Sequence, residues 1–256
     1  MLTKADEKLL VALRRRAERE RRGLFLAEGV RVLEAAVAAG LDVELAVVST
    51  DFGASEREAA LLGALAERTA PRSVPGHVLA RVAATDTPQG VVAAVRTPQT
   101  SLAGLAVPER ATLLVLDAVQ DPGNFGSLVR TADALGAAAV IALAGTVDPW
   151  NPKAVRAAAG SSFHLPVANV PTAFALDWLK AGRFQVLAAD VRGEPMDRIP
   201  SAPRIALAVG NEGAGIGAAV EAAADARVGV PIRGSAESLN VGVAAGILLY
   251  LLTRER

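Results

Sequence analysis

Short, mainly apolar runs recur through the second half of the chain, at residues 112–116, 138–143, 184–189, 205–209 and 227–230. Runs of this length, rich in β-branched residues, suit strands covered on both faces, and the stretches between them suit crossover helices. The pattern predicts a parallel α/β sheet. Such a sheet directs the search for function, because ligands of open α/β sheets bind beyond the carboxyl ends of the strands.

Upstream, the alternation is tighter. Residues 23–27, 43–49 and 90–95 read as strands, and residues 28–39, 55–68 and 78–82 as helices, the first of them ended by Gly40. A proline-, threonine- and serine-containing stretch without periodicity follows. The expected organisation is a small α/β domain over residues 1–97, a linker over 98–110 and a parallel-sheet domain over 111–256. At roughly 100–200 residues per domain, a chain of 256 residues accommodates both.

Composition removes several classes of chemistry. With no cysteine, disulfides, thiolate nucleophiles and thiolate metal sites are excluded. Two histidines, His77 and His164, lie in no recognisable catalytic or ligand motif, so no metal is expected. The longest charge-free apolar runs, 134–147 and 241–252, are shorter than the ~20 residues a membrane span needs. No leader pattern opens the chain. A soluble, cytoplasmic protein is expected.

Net charge is zero, from 27 basic and 27 acidic residues, yet the charge is not evenly spread. Lys8, Arg14, Arg15, Arg16, Arg19, Arg21 and Arg22 face only Glu18 and Glu20 in the same stretch. On one helix, Leu9, Leu10 and Leu13 form a buried stripe and the arginines fan over the rest. A solvated helix face and a phosphate-binding face are both consistent with that pattern.

Polar residues and glycines concentrate in three loops at carboxyl ends of the second domain's strands. The first, Asp117 to Ala132, contains Asp121-Pro-Gly-Asn124, in which Pro122 and Gly123 read as a turn and Asn124 as a helix cap. Arg130 follows inside the helix, with Asp133 placed for an ion pair at i+3. The second contains Val209-Gly-Asn-Glu212 and then Gly213-Ala-Gly215-Ile-Gly-Ala218, which imitates a dinucleotide fingerprint. A dinucleotide site would need a further strand ending in an acidic residue some ~20 positions on; here the next strand ends at Arg233 with one helix after it, which disfavours that reading. The glycines instead read as a sharp turn with close backbone approach to a ligand. The third loop runs from Val230-Pro-Ile232 to Ser238-Leu239-Asn240-Val241, where Ser238 or Asn240 can cap the last helix.

Taken together, Asp121-Pro-Gly-Asn124-Phe-Gly-Ser-Leu-Val-Arg130-Thr-Ala, Val209-Gly210-Asn211-Glu212-Gly213 and Val230-Pro-Ile232…Ser238-Leu239-Asn240-Val241 resemble the three motifs of the SpoU (TrmH-like) RNA ribose 2′-O-methyltransferases of the SPOUT superfamily. The resemblance covers residues 111–256. More weakly, Arg22-Gly-Leu-Phe-Leu-Ala-Glu28-Gly29 and Thr87-Pro88-Gln89-Gly90 resemble the L30e-like RNA-binding domain that often precedes that catalytic domain.

The resemblance implies a deep trefoil knot, an exception to the rule that chains do not thread themselves. It implies S-adenosyl-L-methionine as cofactor, held by Gly210, Val230, Ile232, Leu239 and Asn240. It names Arg130, Asn124, Glu212, Ser238 and Asn240 as catalytic, with Asn124, Ser238 and Asn240 positioning Arg130 and the ribose. It implies a homodimer whose final helix supplies an apolar face. RNA is the expected partner, gripped by Arg14, Arg15, Arg16, Arg21, Arg22 and Arg130; 23S rRNA is favoured. A tRNA 2′-O-methyltransferase, or a non-catalytic RNA-binding or ribosome-assembly protein on the same fold, are the alternatives.

Overall fold

A computed structural model describes residues 2–200 and 202–254. The chain divides into two compact units. One takes in the chain up to Gln99 together with Trp150–Phe163, and the other comprises Thr100–Pro149 and the chain from His164 onward.

In the first unit, α1 (Lys4–Ala12), α2 (Arg16–Arg22), β1 (Leu24–Glu28), α3 (Val30–Ala38), β2 (Val43–Ser49), α4 (Glu56–Ala66), β3 (Arg72–Val74), α5 (Gly76–Val82) and β4 (Val91–Arg96) follow one another. The sheet order is β1-β4-β2-β3, with β4 antiparallel to both neighbours and β3 parallel to β2. Alternation along each strand serves two cores. Phe25, Ala27, Val91 and Ala93 point to one, with Leu33, Leu61 and Leu65. Leu24, Leu26, Val92 and Ala94 point to the other, with Leu10, Leu13 and Leu79. Burial on both faces explains why these strands read as continuous apolar runs.

The helix expected across residues 8–22 is two helices, broken after Leu13. Its arginines supply the reason. The Arg19 guanidinium is buried and donates to the Leu13 and Arg14 carbonyls at 2.8 and 2.9 Å, satisfying groups that the end of α1 leaves open. Arg14 reaches the Arg81 carbonyl at 2.7 Å and the Ala83 carbonyl, at the end of α5. Arg16 pairs with Glu20, and Arg21 and Arg22 both pair with Glu18. The two guanidinium hydrogen bonds, that of Arg21 first, hold the Glu18 carboxyl at about 2. Much of the charge expected to face RNA is therefore engaged within the unit.

The division into units departs from the expected bounds of 1–97 and 111–256 in one internal segment. Trp150–Phe163 belongs to the first unit. Trp150 and Phe163 lie 4.9 and 5.6 Å from Phe25, centroid to centroid, and Val155 enters the same core. A triple aromatic cluster supplies the reason, because such rings bury large areas and add pairwise attraction.

The second unit contains β5 (Ala111–Leu116), α6 (Pro122–Ala134) and β6 (Ala139–Ala142); the helix Pro152–Ala158 of the excursion is α7, and α8 (Ser161–His164) ends it. Then come β7 (Val167–Asn169), α9 (Thr172–Ala181), β8 (Gln185–Pro195), β9 (Arg204–Val209), α10 (Ala218–Ala223), β10 (Ala226–Gly229) and α11 (Val241–Thr253). All strands are parallel, in the order β10-β8-β9-β5-β6-β7. On one face, Leu113, Val115, Ile141, Ala206 and Ala208 meet Ala175 and Leu179 of α9 and Val220 of α10. On the other, α11 packs across α6, β5 and β9. The chain leaves β5 toward β6 and β7, then returns to the opposite side, so β5 and β9 flank the topological switch point.

Strand β8 is irregular where it meets β10. Ala188 pairs with Arg227, but the next pair is Glu194 with Val228, so residues 189–193 bulge out. Backbones touch at this crossing: a Cβ on Gly193 would sit 2.3 Å from the Val228 carbonyl carbon, and one on Gly229 would sit 2.6 Å from the Asp190 oxygen. Beyond it the chain continues into α11, and the parallel α/β sheet expected for the second domain is the one observed. Among the described residues no helix is long and apolar enough to cross a membrane.

Candidate functional site

The three loops meet at the switch point. Asp121, not Asn124, caps α6: its carboxylate accepts the Asn124 backbone N–H at 2.7 Å, and Pro122 occupies the first helical turn. That releases the Asn124 amide from capping. Its Nδ2 donates to Glu212 Oε1 at 2.6 Å, joining the loop after β5 to the loop after β9. Two further bonds tie those loops: Asn211 Nδ2 to the Ala118 carbonyl at 3.0 Å, and the Gly217 N–H to the buried Asp117 carboxylate at 2.7 Å.

Asn240 brings in the third loop. As N-cap of α11 its Oδ1 accepts the Gly242 and Val243 N–H groups at 2.9 and 3.4 Å. With the oxygen so occupied, Nδ2 faces Asn124 Oδ1 and donates across 3.3 Å. The sense of the relay follows from its helix end. Two backbone donors orient Asn240, Asn240 orients Asn124, and Asn124 presents a donor to Glu212.

Beside this relay lies a cleft of about 500 Å³, within the ~300–1,000 Å³ of small-molecule sites. Gly210, Val230, Ile232, Leu239 and Asn240, the five expected cofactor residues, all line it, as do Glu212 and Ser238. Sequence reasoning missed one wall, the β8 bulge with Asp190 and Val191. The available signal was Asp190 with Gly193 three residues on, much as Asp121 precedes Gly123 and Glu212 precedes Gly213 in the first two loops. Asp190 accepts the Arg192 N–H at 2.7 Å. The cleft thus holds two carboxylates and, among the described lining residues, no lysine or arginine.

Close backbone approach shapes the second loop, as expected. A Cβ on Gly210 would fall 2.2 Å from the Gly215 carbonyl oxygen. Asn211 and Gly215 exchange backbone bonds of 3.0 and 2.9 Å, and Asn211 Oδ1 accepts the Gly213 and Ala214 N–H groups. The donors a dinucleotide phosphate would need are turned inward.

Two expected members stand apart from the relay. Ser238 lines the cleft without a hydrogen bond to the other four among the described residues. Arg130 is exposed on α6, neither lining the cleft nor pairing with Asp133, Asn124, Ser238 or Asn240. Within one chain, the expectation that Asn124, Ser238 and Asn240 position Arg130 is not met. Six residues separate Arg130 from Asn124, which turns it about 240° around the helix and away from the relay.

A sulfonium cofactor fits this cleft. Two carboxylates favour a cation, and a wall of glycine backbone and aliphatic side chains suits the flat adenosyl body.

Comparison with known proteins agrees with the geometry. Residues 111–250 match the SpoU rRNA Methylase family, and residues 6–93 match the MRM3-like substrate binding domain. The chain is 38% identical over 242 residues to a Bacillus subtilis protein named 23S rRNA (guanosine(2553)-2′-O)-methyltransferase RlmP, covering 94% of this chain and 92% of that one. It is 34% identical over 250 residues to the 23S rRNA (uridine(2479)-2′-O)-methyltransferase of Streptomyces viridochromogenes, covering 94% and 86%. Among solved structures, the SpoU methyltransferase AviRb from S. viridochromogenes in complex with AdoMet superposes with a TM-score of 0.88 at 31% identity, covering 99% of this chain and 98% of that one. An AdoMet-bound rRNA methyltransferase from Sinorhizobium meliloti gives 0.86 at 32% identity, covering 100% and 96%.

Proposed function

Because the chain belongs to the SpoU rRNA methylase family, we propose that the relay beside the acidic cleft is the active site of an S-adenosylmethionine-dependent methyltransferase acting on a ribose 2′-hydroxyl of ribosomal RNA. The observation that carries this reading is the Glu212–Asn124–Asn240 relay, closed over the switch point of the sheet and against a cleft suited to a sulfonium cofactor. S-adenosylmethionine, when bound, supplies an electrophilic methyl group. Gly210, Val230, Ile232 and Leu239 hold its body by backbone and aliphatic contact.

A ribose 2′-hydroxyl is a weak nucleophile, so the protein must align it and ease loss of its proton. Asn124 and Asn240 hold Glu212 in one orientation at the edge of the cleft, and Ser238 offers a hydroxyl to the ribose. Arg130 is the cation of the site. A guanidinium that stays protonated above ~12 is a poor base; its role is to orient the hydroxyl and stabilise the alkoxide developing on it.

The exposed placement of Arg130 supports a homodimer in which Arg130 serves the partner's cleft. Val243, Ile247 and Tyr250, exposed on α11, recur at i, i+4 and i+7 and form an apolar stripe for that contact. The S. viridochromogenes and B. subtilis relatives both modify 23S rRNA, which favours the same substrate here; their target nucleotides differ.

The test is transfer of tritiated methyl from S-adenosylmethionine to ribosomal RNA, with the product located as an alkali-resistant linkage. Arg130→Ala and Glu212→Ala are each expected to abolish turnover. Mixing the two inactive variants is expected to restore part of it, since a mixed dimer keeps one intact site. Full activity of Arg130→Ala sinks the assignment of that residue, and a monomer active at the same concentration sinks the shared site.

A further inference from the structure

A second cleft, of about 680 Å³, shares the Gly229–Val230 wall with the cofactor cleft. Its charge is the opposite. Arg110, Arg198, Arg233 and Arg254 line it against one acid, Asp197. The first three are exposed and make no ion pair or hydrogen bond with any described residue. Converging cations repel one another, and among the described residues no carboxylate pairs with Arg110, Arg198 or Arg233, so the arrangement favours an anion. Apolar groups complete the lining, Met196 and Ile199 among them.

We infer that this arginine cleft binds the sugar–phosphate backbone of the substrate RNA beside the nucleotide being methylated. The inference rests on the rRNA methyltransferase reading and adds to it a location on the catalytic unit. Guanidinium forks match phosphate oxygens bidentately, and the apolar patch suits a ribose or a base face. Four of the first unit's arginines are poorer candidates: Arg14 caps carbonyls, and Arg16, Arg21 and Arg22 face carboxylates. The common wall makes the two clefts neighbours of opposite preference. A polyanion held at one lies next to a cationic cofactor held at the other, and the acidic cleft excludes phosphate.

The test is fluorescence anisotropy of a fluorescein-labelled RNA hairpin, titrated at several salt concentrations without S-adenosylmethionine. Each released phosphate counterion contributes about 0.7–0.9 to the slope of log K against log salt. The combined Arg110→Ala, Arg198→Ala and Arg233→Ala variant is expected to lower that slope by about 2–3 and to weaken binding at least ~10-fold at physiological salt. The corresponding triple lysine variant retains most of the slope, which separates loss of charge from loss of fold. Calorimetric affinity for S-adenosylmethionine stays at the wild-type value. An unchanged slope overturns the inference; an unchanged slope with an altered mass by light scattering assigns the cleft to contact between copies of the chain. Methyl transfer by the wild type is scored separately, so failure of the parent reading is distinguishable from failure of this one.

Discussion

Replacing Asn240 with aspartate isolates the relay from the fold. The carboxylate still accepts the Gly242 and Val243 N–H groups at the start of α11, and negative charge at a helix N-terminus is favourable by about 0.3–1 kcal/mol. Stability is therefore retained. What disappears is the donor that Asn240 offers to Asn124 Oδ1 across 3.3 Å. Asn124 then has two options. It keeps its orientation and opposes its oxygen to the new carboxylate, or it flips and turns that oxygen toward Glu212 Oε1, now 2.6 Å from its nitrogen. The first opposes two acceptors and the second removes the charge-assisted bond, which is worth about 1.5–3 kcal/mol. If the whole loss falls on the transition state, kcat/KM declines by about 10- to 150-fold, at ~1.36 kcal/mol per tenfold. The assay is methyl transfer to ribosomal RNA with thermal unfolding measured in parallel. An activity within twofold of wild type, with Tm unchanged, would refute the reasoning and leave Asn240 a helix cap only.

Three further outcomes are expected. Gly210→Ala forces a methyl group to within 2.2 Å of the Gly215 oxygen, so the loop opens and S-adenosylmethionine affinity declines by at least ~10-fold in calorimetry, at ~1.4 kcal/mol per tenfold. The Glu18 carboxyl titrates at about 2 rather than 4.5; its lowered folded-state value means the stabilisation of α2 is present above the unfolded value and lost as pH falls from 4.5 through about 2, which a carboxyl NMR titration follows. Phe163→Ala opens the aromatic cluster with Phe25 and Trp150 and destabilises the first unit by about 2–4 kcal/mol, read from the Trp150 fluorescence transition; an unchanged midpoint means the excursion contributes nothing.

Strands covered on both faces announced themselves as apolar runs, and this is why β5, β6 and β9 were legible to within two residues. Strands β3 and β7 were not. At three residues each, they are too short for any periodicity, and their pairing is decided by the neighbouring strand. Leu10 and Leu13 marked the buried stripe correctly, yet the break between α1 and α2 depends on Arg19 folding back onto carbonyls, a contact with no local signature. The three loops stood out because glycine, proline and small polar residues gather where backbones must approach closely. The fourth wall escaped notice because the 189–193 bulge is set by the register of β8 against β10, and that register belongs to tertiary structure.

The excursion of Trp150–Phe163 into the first unit has a consequence for how the protein is made. By the time Gln99 leaves the ribosome, every strand of the first sheet exists, but the aromatic lid over Phe25 is still about fifty residues away in the sequence. Domains generally fold as units during synthesis, at about 5–20 residues per second, so the nascent sheet waits several seconds with the part of its apolar face around Phe25 uncovered. A cut in the linker, which looks like the natural place to divide the gene, therefore yields an N-terminal fragment lacking part of its own core. The fragment prepared that way is expected to aggregate, and supplying the 150–163 segment in trans is expected to rescue it.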